Sequence, residues 1–370
     1  MTGEQKSCCC SGLPAIPPAE PPRLDRDWID GTVDTPAGPV PRVATTLNGA
    51  DRLGAWKVRW GLSRSSYRVD PGLYAAGSPT PESPVLISAN YKMSFDIVRS
   101  RLAGRDAWIV VLDTRGVNVW CAAGKGTFGT DELIHRIGAV GLEQVVAHRK
   151  LIVPQLGATG VSAHRVKSAS GFRVIYGPVK AAELPAFLDA GMKATPAMRR
   201  IRFPLRDRCV LIPIELIPAV KLGLLAAALL TLLSGLEPGG FDPSRILSPG
   251  LANGAILLCA SIFGAVMVPL FVPWLPGRSF SFKGVSVGLV YVLLAGWLVV
   301  GFGGSDLNWA AWASWLLMVP AVTSFLAMNF TGATTFTSLS GVMGEMRVAI
   351  PLQIGSAAAG LILWIVSLYI

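Results

Sequence analysis

Histidine and paired cysteine are what this sequence has least of. Its 370 residues contain three histidines (His135, His148 and His164) and six cysteines (Cys8, Cys9, Cys10, Cys121, Cys209 and Cys259). No two cysteines are spaced as C-x-x-C, which excludes zinc ribbons, ferredoxin-type clusters and thioredoxin-like exchange, and nothing suggests a disulfide framework. Charge is also scarce: 15% of residues are charged against 51% hydrophobic, a composition that suits a membrane protein rather than a soluble one. The formal net charge of +10 would fit nucleic acid by itself. However, Lys193, Arg199, Arg200, Arg202, Arg206 and Arg208 cluster just before the first long apolar run, where a topology signal belongs, so no nucleic-acid partner is expected. Residues 1–20 lack an apolar h-region; no cleaved signal peptide is expected, and the N-terminus is expected in the cytoplasm.

What is present divides into four stretches. Residues 1 to about 41, with Pro17-Pro18 and Pro21-Pro22, read as a mobile tail, and residues 1–50 are assigned to it as a flexible Pro-rich segment. The triple cysteine there could bind metal or carry a lipid, but the favoured reading is a chance cluster. Residues 51–195 read as one α/β domain, 196–209 as a basic linker, and 210–370 as a membrane domain of five helices. The apolar runs are Val210–Leu233, Leu251–Val272, Val285–Gly303, Ala310–Met328 and Val348–Ile370, each near the length that crosses a bilayer. The basic stretch precedes the first run, Arg278 and Lys283 fall in the second loop, and the third loop holds only Asp306. The positive-inside rule then puts the α/β domain on the cytoplasmic side of the cell (inner) membrane and the C-terminus outside. Glu215 and Lys221 lie inside the first run, near its cytoplasmic end, as functional charges or as snorkelling ones.

Within the α/β domain, strands are expected at 84–88, 108–113, 150–154 and 172–176, with helices at 91–102, 131–137, 161–167 and 181–188. This alternation argues for a Rossmann-like, mostly parallel sheet with helices on its faces. The small-residue loops after successive strands would share one rim: Ser88-Ala89-Asn90, Thr114-Arg115-Gly116, Gly157 to Gly160 (with Thr159), and Gly177-Pro178. Each also reads as an ordinary tight connection.

One of these loops leads into Asn118-Val119-Trp120-Cys121-Ala122-Ala123-Gly124-Lys125. A short helix over 119–124 would put Cys121 in its first turn, where free N–H groups and the helix dipole favour a thiolate. Ala122, Ala123 and Gly124 would leave a nearly bare surface for something large and flat. The plain alternative is an inert core thiol. A phosphate loop is excluded, because Val119 stands where its first glycine belongs and Gly126 where it needs Ser or Thr.

Asn-Val-Trp-Cys-Ala-Ala-Gly-Lys at 118–125 resembles the mercury-methylating corrinoid protein family, itself related to the corrinoid iron-sulfur protein of the acetyl-CoA pathway. The likeness continues through Trp56-Lys57-Val58-Arg59-Trp60-Gly61, Val69-Asp70-Pro71-Gly72-Leu73-Tyr74, Ser88-Ala89-Asn90-Tyr91-Lys92 and the membrane segments. It also takes in the loop Asn329 to Ser338, whose hydroxyls read as transient metal holders or as plain backbone partners. The resemblance implies a cobalamin-type corrinoid beneath a cap helix, with Cys121 as lower axial cobalt ligand. The cofactor contacts would be Asn118, Val119, Trp120, Ala122, Ala123, Gly124 and Lys125, with Ser88, Asn90, Thr114, Gly157, Thr159 and Gly160 on the rim. Many corrinoid proteins instead use a histidine in Asp-x-His-x-x-Gly; here His135 is followed by Gly138, but Leu133 replaces the Asp.

The implied activity is a membrane-anchored corrinoid methyltransferase that passes a methyl group from cobalt to Hg(II), giving methylmercury. A methyl-folate-linked system would supply the methyl group, and a ferredoxin-like protein with two [4Fe–4S] clusters the electrons, since this chain has no cluster motif of its own. Two alternatives stay open. One is a corrinoid methyl carrier of one-carbon metabolism with another acceptor; the other is a membrane transporter or scaffold with a regulatory α/β domain.

Overall fold

The computed structural model describes residues 22–64, 66–301, 308–333, 336 and 339–370. The chain divides into two compact units. One holds the described residues up to Val58 together with Ser63–Ile201; the other holds Arg59–Leu62 together with Arg202–Ile370.

The first unit is built on a seven-stranded sheet: β1 (Ile29–Thr35), β2 (Gly38–Val43), β3 (Gly72–Ala76), β4 (Val85–Ala89), β5 (Ala107–Leu112), β6 (Lys150–Val153) and β7 (Arg173–Tyr176), in spatial order β1-β2-β3-β5-β4-β6-β7. Its helices are α1 (Gly49–Arg59, whose last residue falls in the other unit), α2 (Lys92–Ser100), α3 (Val119–Lys125), α4 (Thr130–Ala139), α5 (Leu142–Val145), α6 (Ala163–Ser170) and α7 (Leu184–Asp189). Strands β5, β4, β6 and β7 run parallel to one another. Every residue of β4 and β5 is buried, as expected of strands covered on both faces. The period of two divides them between two cores. Ile87, Val110 and Leu112 pack with Leu133, Ile137, Val166 and Phe172, and Leu86, Ile109 and Val111 pack with Phe95, Leu102 and Phe187.

The sheet is mostly parallel, as expected, but mixed: β3 pairs antiparallel with β5, and β1 antiparallel with β2, while the other pairings are parallel. The assignment of the N-terminal residues needs correction. Residues 29–43, expected in a flexible tail over 1–50, form the hairpin that extends the sheet at this edge. Its prolines disguised it: β2 reads Gly-Pro-Val-Pro-Arg-Val. Those prolines are tolerated because β2 meets β3 only at Arg42 and Val43, so Pro39 and Pro41 lie beyond the part of that ladder that needs a donor. Trp28, Val40 and Val43 are buried, which supplies the driving force. The triple cysteine lies outside the described residues.

The second unit contains α8 (Leu205–Cys209), α9 (Ile212–Leu233), the two-residue strands β8 (Leu236–Glu237) and β9 (Gly240–Phe241), α10 (Leu251–Phe271), α11 (Phe280–Gly301), α12 (Trp309–Asn329) and α13 (Leu339–Ser367). Among the described residues, five helical stretches are long and apolar enough to cross a membrane: Leu205–Leu233, Ile246–Phe271, Phe280–Val299, Trp309–Asn329 and Gly341–Ser367. The first begins earlier than the expected Val210, so Arg206 and Arg208 belong to a helix and not to a linker over 196–209. The reason is packing. Arg208 is 3% exposed; its guanidinium donates to the carbonyls of Pro269 (3.5 Å) and Leu270 and lies over the Trp274 ring. Lys283 likewise donates to the carbonyls of Val272 (2.9 Å) and Leu275 (2.7 Å). Two cations thus satisfy carbonyls at and just beyond the C-terminus of α10, where the helix dipole favours positive charge. Lys221 is exposed and Glu215 half-buried. In the expected hydroxyl loop, Thr331 Oγ1 donates to the Met328 carbonyl at 2.7 Å, while residues 334, 335, 337 and 338 lie outside the described set.

Candidate functional site

Because β4, β5 and β6 are parallel, the segments leaving their C-terminal ends share one rim. Asn90 follows β4, Asp113 to Asn118 follow β5 and lead into α3, and a 3-10 turn over Gln155–Gly157 follows β6.

Asn90 organises this rim. It is 2% exposed, and its Oδ1 accepts from the backbone N–H groups of Thr114 (3.1 Å) and Gly116 (2.8 Å), with the Thr114 hydroxyl also 2.8 Å away. Its Nδ2 donates to Asp113 Oδ1 at 3.0 Å. Asp113 Oδ1 also accepts from Arg115 N at 2.9 Å, which turns the chain locally. Arg115 and Gly116 both take positive φ, +57° and +74°. A non-glycine residue there is sparsely populated and persists only where neighbours impose it, as Asn90 and Asp113 do here.

The loop delivers Asn118 as the N-cap of α3, its side chain accepting from Cys121 N at 2.9 Å. Gly126, at φ +81°, closes the helix in the left-handed conformation. Ala122 and Ala123 are buried in the core, while Val119, Trp120 and Cys121 are half-buried and Gly124 and Lys125 exposed. So Cys121 is neither an enclosed core thiol nor a fully solvated one. Two glycines let the rim close up beneath α3. A Cβ on Gly160 would lie 2.2 Å from the Phe128 carbonyl and 3.1 Å from Ala123 Cα, and one on Gly157 would strike the Phe128 ring at 2.4 Å. Gly124 faces the other way: a Cβ there meets nothing within 4 Å.

The expected site residues therefore sort by exposure. Ser88 and Thr114 are buried within the rim and Asn90 is occupied in holding it; Gly157 and Gly160 are packing positions. Cys121, Trp120, Gly124, Lys125 and Thr159 present surface. Sequence reasoning missed Gln155, whose Oε1 is buried beside the rim with no hydrogen-bond partner among the described residues. A lone glutamine in a loop carries no pattern that would single it out.

The three histidines fall on different elements, His135 on α4, His164 in the first turn of α6 and His148 before β6. His135 and His164 are exposed; His148 lies at the opposite end of the strands, its Nε2 donating to the Ser83 carbonyl (2.9 Å) and its Nδ1 accepting from Lys150 N (3.2 Å). A 510 Å³ cavity opens at that end, lined by Glu82, Arg105, Asp106, His148, Lys150 and Asp189 among others.

Comparison with known proteins converges on the same segment. Residues 61–188 match the family model described as the CO dehydrogenase/acetyl-CoA synthase delta subunit. The chain is 34% identical over 128 residues to the acetyl-CoA decarbonylase/synthase complex subunit gamma of Methanopyrus kandleri, covering 34% of this chain and 27% of that protein. It is 30% identical over 128 residues to the same subunit of Archaeoglobus fulgidus, with the same coverage. The chain thus spans about a quarter of the length of the curated relatives it matches (27%). The matched segment contains β3 to β7 and α3.

Proposed function

We propose that this chain is a membrane-anchored corrinoid protein that carries a methyl group, with Cys121 as the lower ligand of the cobalt, and that Hg(II) is its methyl acceptor. The supporting observation is the half-exposed Cys121 thiol on a capped helix over the C-terminal rim of the parallel strands, within the segment shared with acetyl-CoA decarbonylase/synthase subunits. Residues of the rim suit such a group: a thiol open to a ligand, an unpartnered buried acceptor at Gln155, and bare space over Gly124. Cys121, Trp120, Gly124, Lys125, Gln155 and Thr159 would hold it. When bound, a corrinoid supplies a cobalt atom able to accept and release a methyl group.

The chain's own residues then have separable tasks. Asn118 engages the Cys121 N–H and so fixes the turn that carries the thiol. Asn90 holds the loop that places Asn118. Sulfur from Cys121 would supply the group with more electron density than an imidazole would, which suits methyl transfer to an electrophilic Hg(II). Electrons come from a protein partner, for which a ferredoxin-like protein with two [4Fe–4S] clusters is the candidate, and a methyl-folate-linked system supplies the methyl group. The sheet unit faces the cytoplasm.

A second reading, favoured by the relatives' names, keeps the corrinoid and replaces mercury by an acceptor of one-carbon metabolism. Methylmercury formation in a host given this chain and its ferredoxin-like partner separates the two. Full-length protein should take up cobalamin with its lower base displaced. The visible spectrum should change in Cys121→His, which should bind corrinoid but yield little or no methylmercury, and should stay the same in His135→Ala. A spectrum that follows His135 instead of Cys121 overturns the ligand assignment. Reporter fusions after Gly239 and at Ile370 should report the outside; a cytoplasmic C-terminus would contradict the orientation.

A further inference from the structure

Helix α1 is held so that one of its faces has a fixed direction. Its only acid, Asp51, is buried at 4% exposure, and its carboxylate accepts from Lys92 Nζ and Arg99 Nη2, both at 2.6 Å. Lys92 and Arg99 also hold Asp96, and Arg99 donates to the Ala44 carbonyl. Burial pushes the Asp51 carboxyl up, but the hydrogen bonds from Lys92 and Arg99 outweigh this and hold it below its ordinary value. Asn48 and Asp51 cap each other's backbone N–H reciprocally, at 2.8 and 3.1 Å. Gly54 lies against the Tyr67 ring, and Val58, seven residues after Asp51, is 1% exposed. This pattern sets the rotation of the helix.

The opposite face carries Leu53 and Trp56, three residues apart and 52% and 55% exposed. Arg52, Lys57 and Arg59 flank them and are exposed. With Asp51 turned inward, this outer face bears cations and no acid.

We propose that the outer face of α1 lies on an anionic phospholipid surface. Three observations select lipid over a protein partner. An exposed tryptophan beside leucine, flanked by arginine and lysine, is the chemistry of an in-plane helix: the ring sits at the headgroup level and the cations meet anionic lipid. The apolar strip is two residues wide, small for a stable protein interface of about 800 Å² per partner. Finally, the chain's five membrane-length helices keep a bilayer in constant reach, so weak surface affinity suffices. At 11 residues and with four charges, α1 itself does not span.

The test is photocrosslinking in full-length protein reconstituted into vesicles of phosphatidylcholine with or without phosphatidylglycerol. The photoreactive residue p-benzoylphenylalanine is placed at position 53, or at 57 if the first variant does not accumulate, and at the exposed position 167 of α6 as control. Lipid adducts, read by mass spectrometry, should form at 53 in the phosphatidylglycerol vesicles well above the yield at 167. Yield should fall in phosphatidylcholine alone, and by about threefold or more when Arg52, Lys57 and Arg59 are each replaced by Glu. Adducts only with a second copy of the chain, yields no higher than at 167, or equal yields in both lipids would overturn the proposal. Corrinoid loading plays no part in the readout, so the outcome is independent of the proposed activity.

Discussion

The two ends of the parallel strands differ in kind. At their N-terminal end lies a 510 Å³ cavity, roomy and rich in charge. Yet four of its polar groups are already engaged: Arg105 forms two hydrogen bonds with Asp189 (2.7 and 2.8 Å), Asp106 accepts from Ser78 N, and His148 is engaged at both ring nitrogens. At the C-terminal end there is a short capped helix, a half-exposed thiol, a buried oxygen at Gln155 with no partner among the described residues, and a loop in left-handed conformations. Volume marks one end and unspent chemical capacity the other. The function proposed above is assigned to the second, because a site needs groups whose bonding is incomplete without a ligand.

The comparison is most exposed to failure at Cys121. Cys121→Ala should abolish methyl transfer to Hg(II) while changing stability by only about 1 kcal/mol, since a half-exposed thiol leaves little cavity. Filling the opposite cavity with Lys150→Trp should leave methyl transfer unchanged. The reverse pattern in a methylmercury assay would move the site to the wrong end of the sheet for this reading.

Next in size is the ion cluster anchored at Lys92, two residues after Asn90. Asp51→Ala leaves Asp96 alone to balance Lys92 and the buried Arg99 and should lower stability by about 3 kcal/mol in chemical denaturation. The pH dependence has a definite sign. Because the folded Asp51 carboxyl is held below its ordinary value, its stabilisation is complete above that value, about 3.9, and is lost as pH falls further through the folded one. Acid unfolding of Asp51→Asn should therefore be less steep below about pH 4 than that of the parent chain. Identical acid limbs would show that Asp51 is not held low.

A smaller effect is expected at Asn90. Asn90→Ala leaves the buried N–H groups of Thr114 and Gly116 without their acceptor, at a cost of about 2–4 kcal/mol. It should also weaken corrinoid uptake, because the loop that places Asn118 loses its anchor. The least effect belongs to the cavity: Asp189→Asn, at an exposed ion pair, should leave melting temperature and activity within error. A loss of methyl transfer in that variant would erase the distinction between the two ends.

Much of the fold was legible without coordinates, and the limits are instructive. Strands β4 to β7 announce themselves as short apolar runs at regular spacing. The five apolar runs near residues 210–370 correspond to five helices because length and hydropathy are local quantities. The β1–β2 hairpin was hidden by its prolines, since whether a proline is tolerated depends on which side of the strand has a neighbour. The span starting at Leu205 instead of Val210 was equally invisible: a run of arginines reads as linker until the carbonyls at the far end of another helix are known to receive one of them.

The candidate site divides the same way. The sequence by itself determined the cysteine, its small neighbours and their position after a buried strand, because those depend on residue type and order along the chain. Only the tertiary structure decided that Asn90 staples the loop after β5, that Gly157 and Gly160 are needed for close packing, and that the buried Gln155 oxygen has no partner among the described residues. It also decided that Asp51 turns inward and leaves Leu53 and Trp56 facing out. Each of these is a matter of what lies opposite a side chain across the fold. Hydrogen bonding, ion pairing and burial are relations between residues far apart in the chain, and no local pattern encodes the partner.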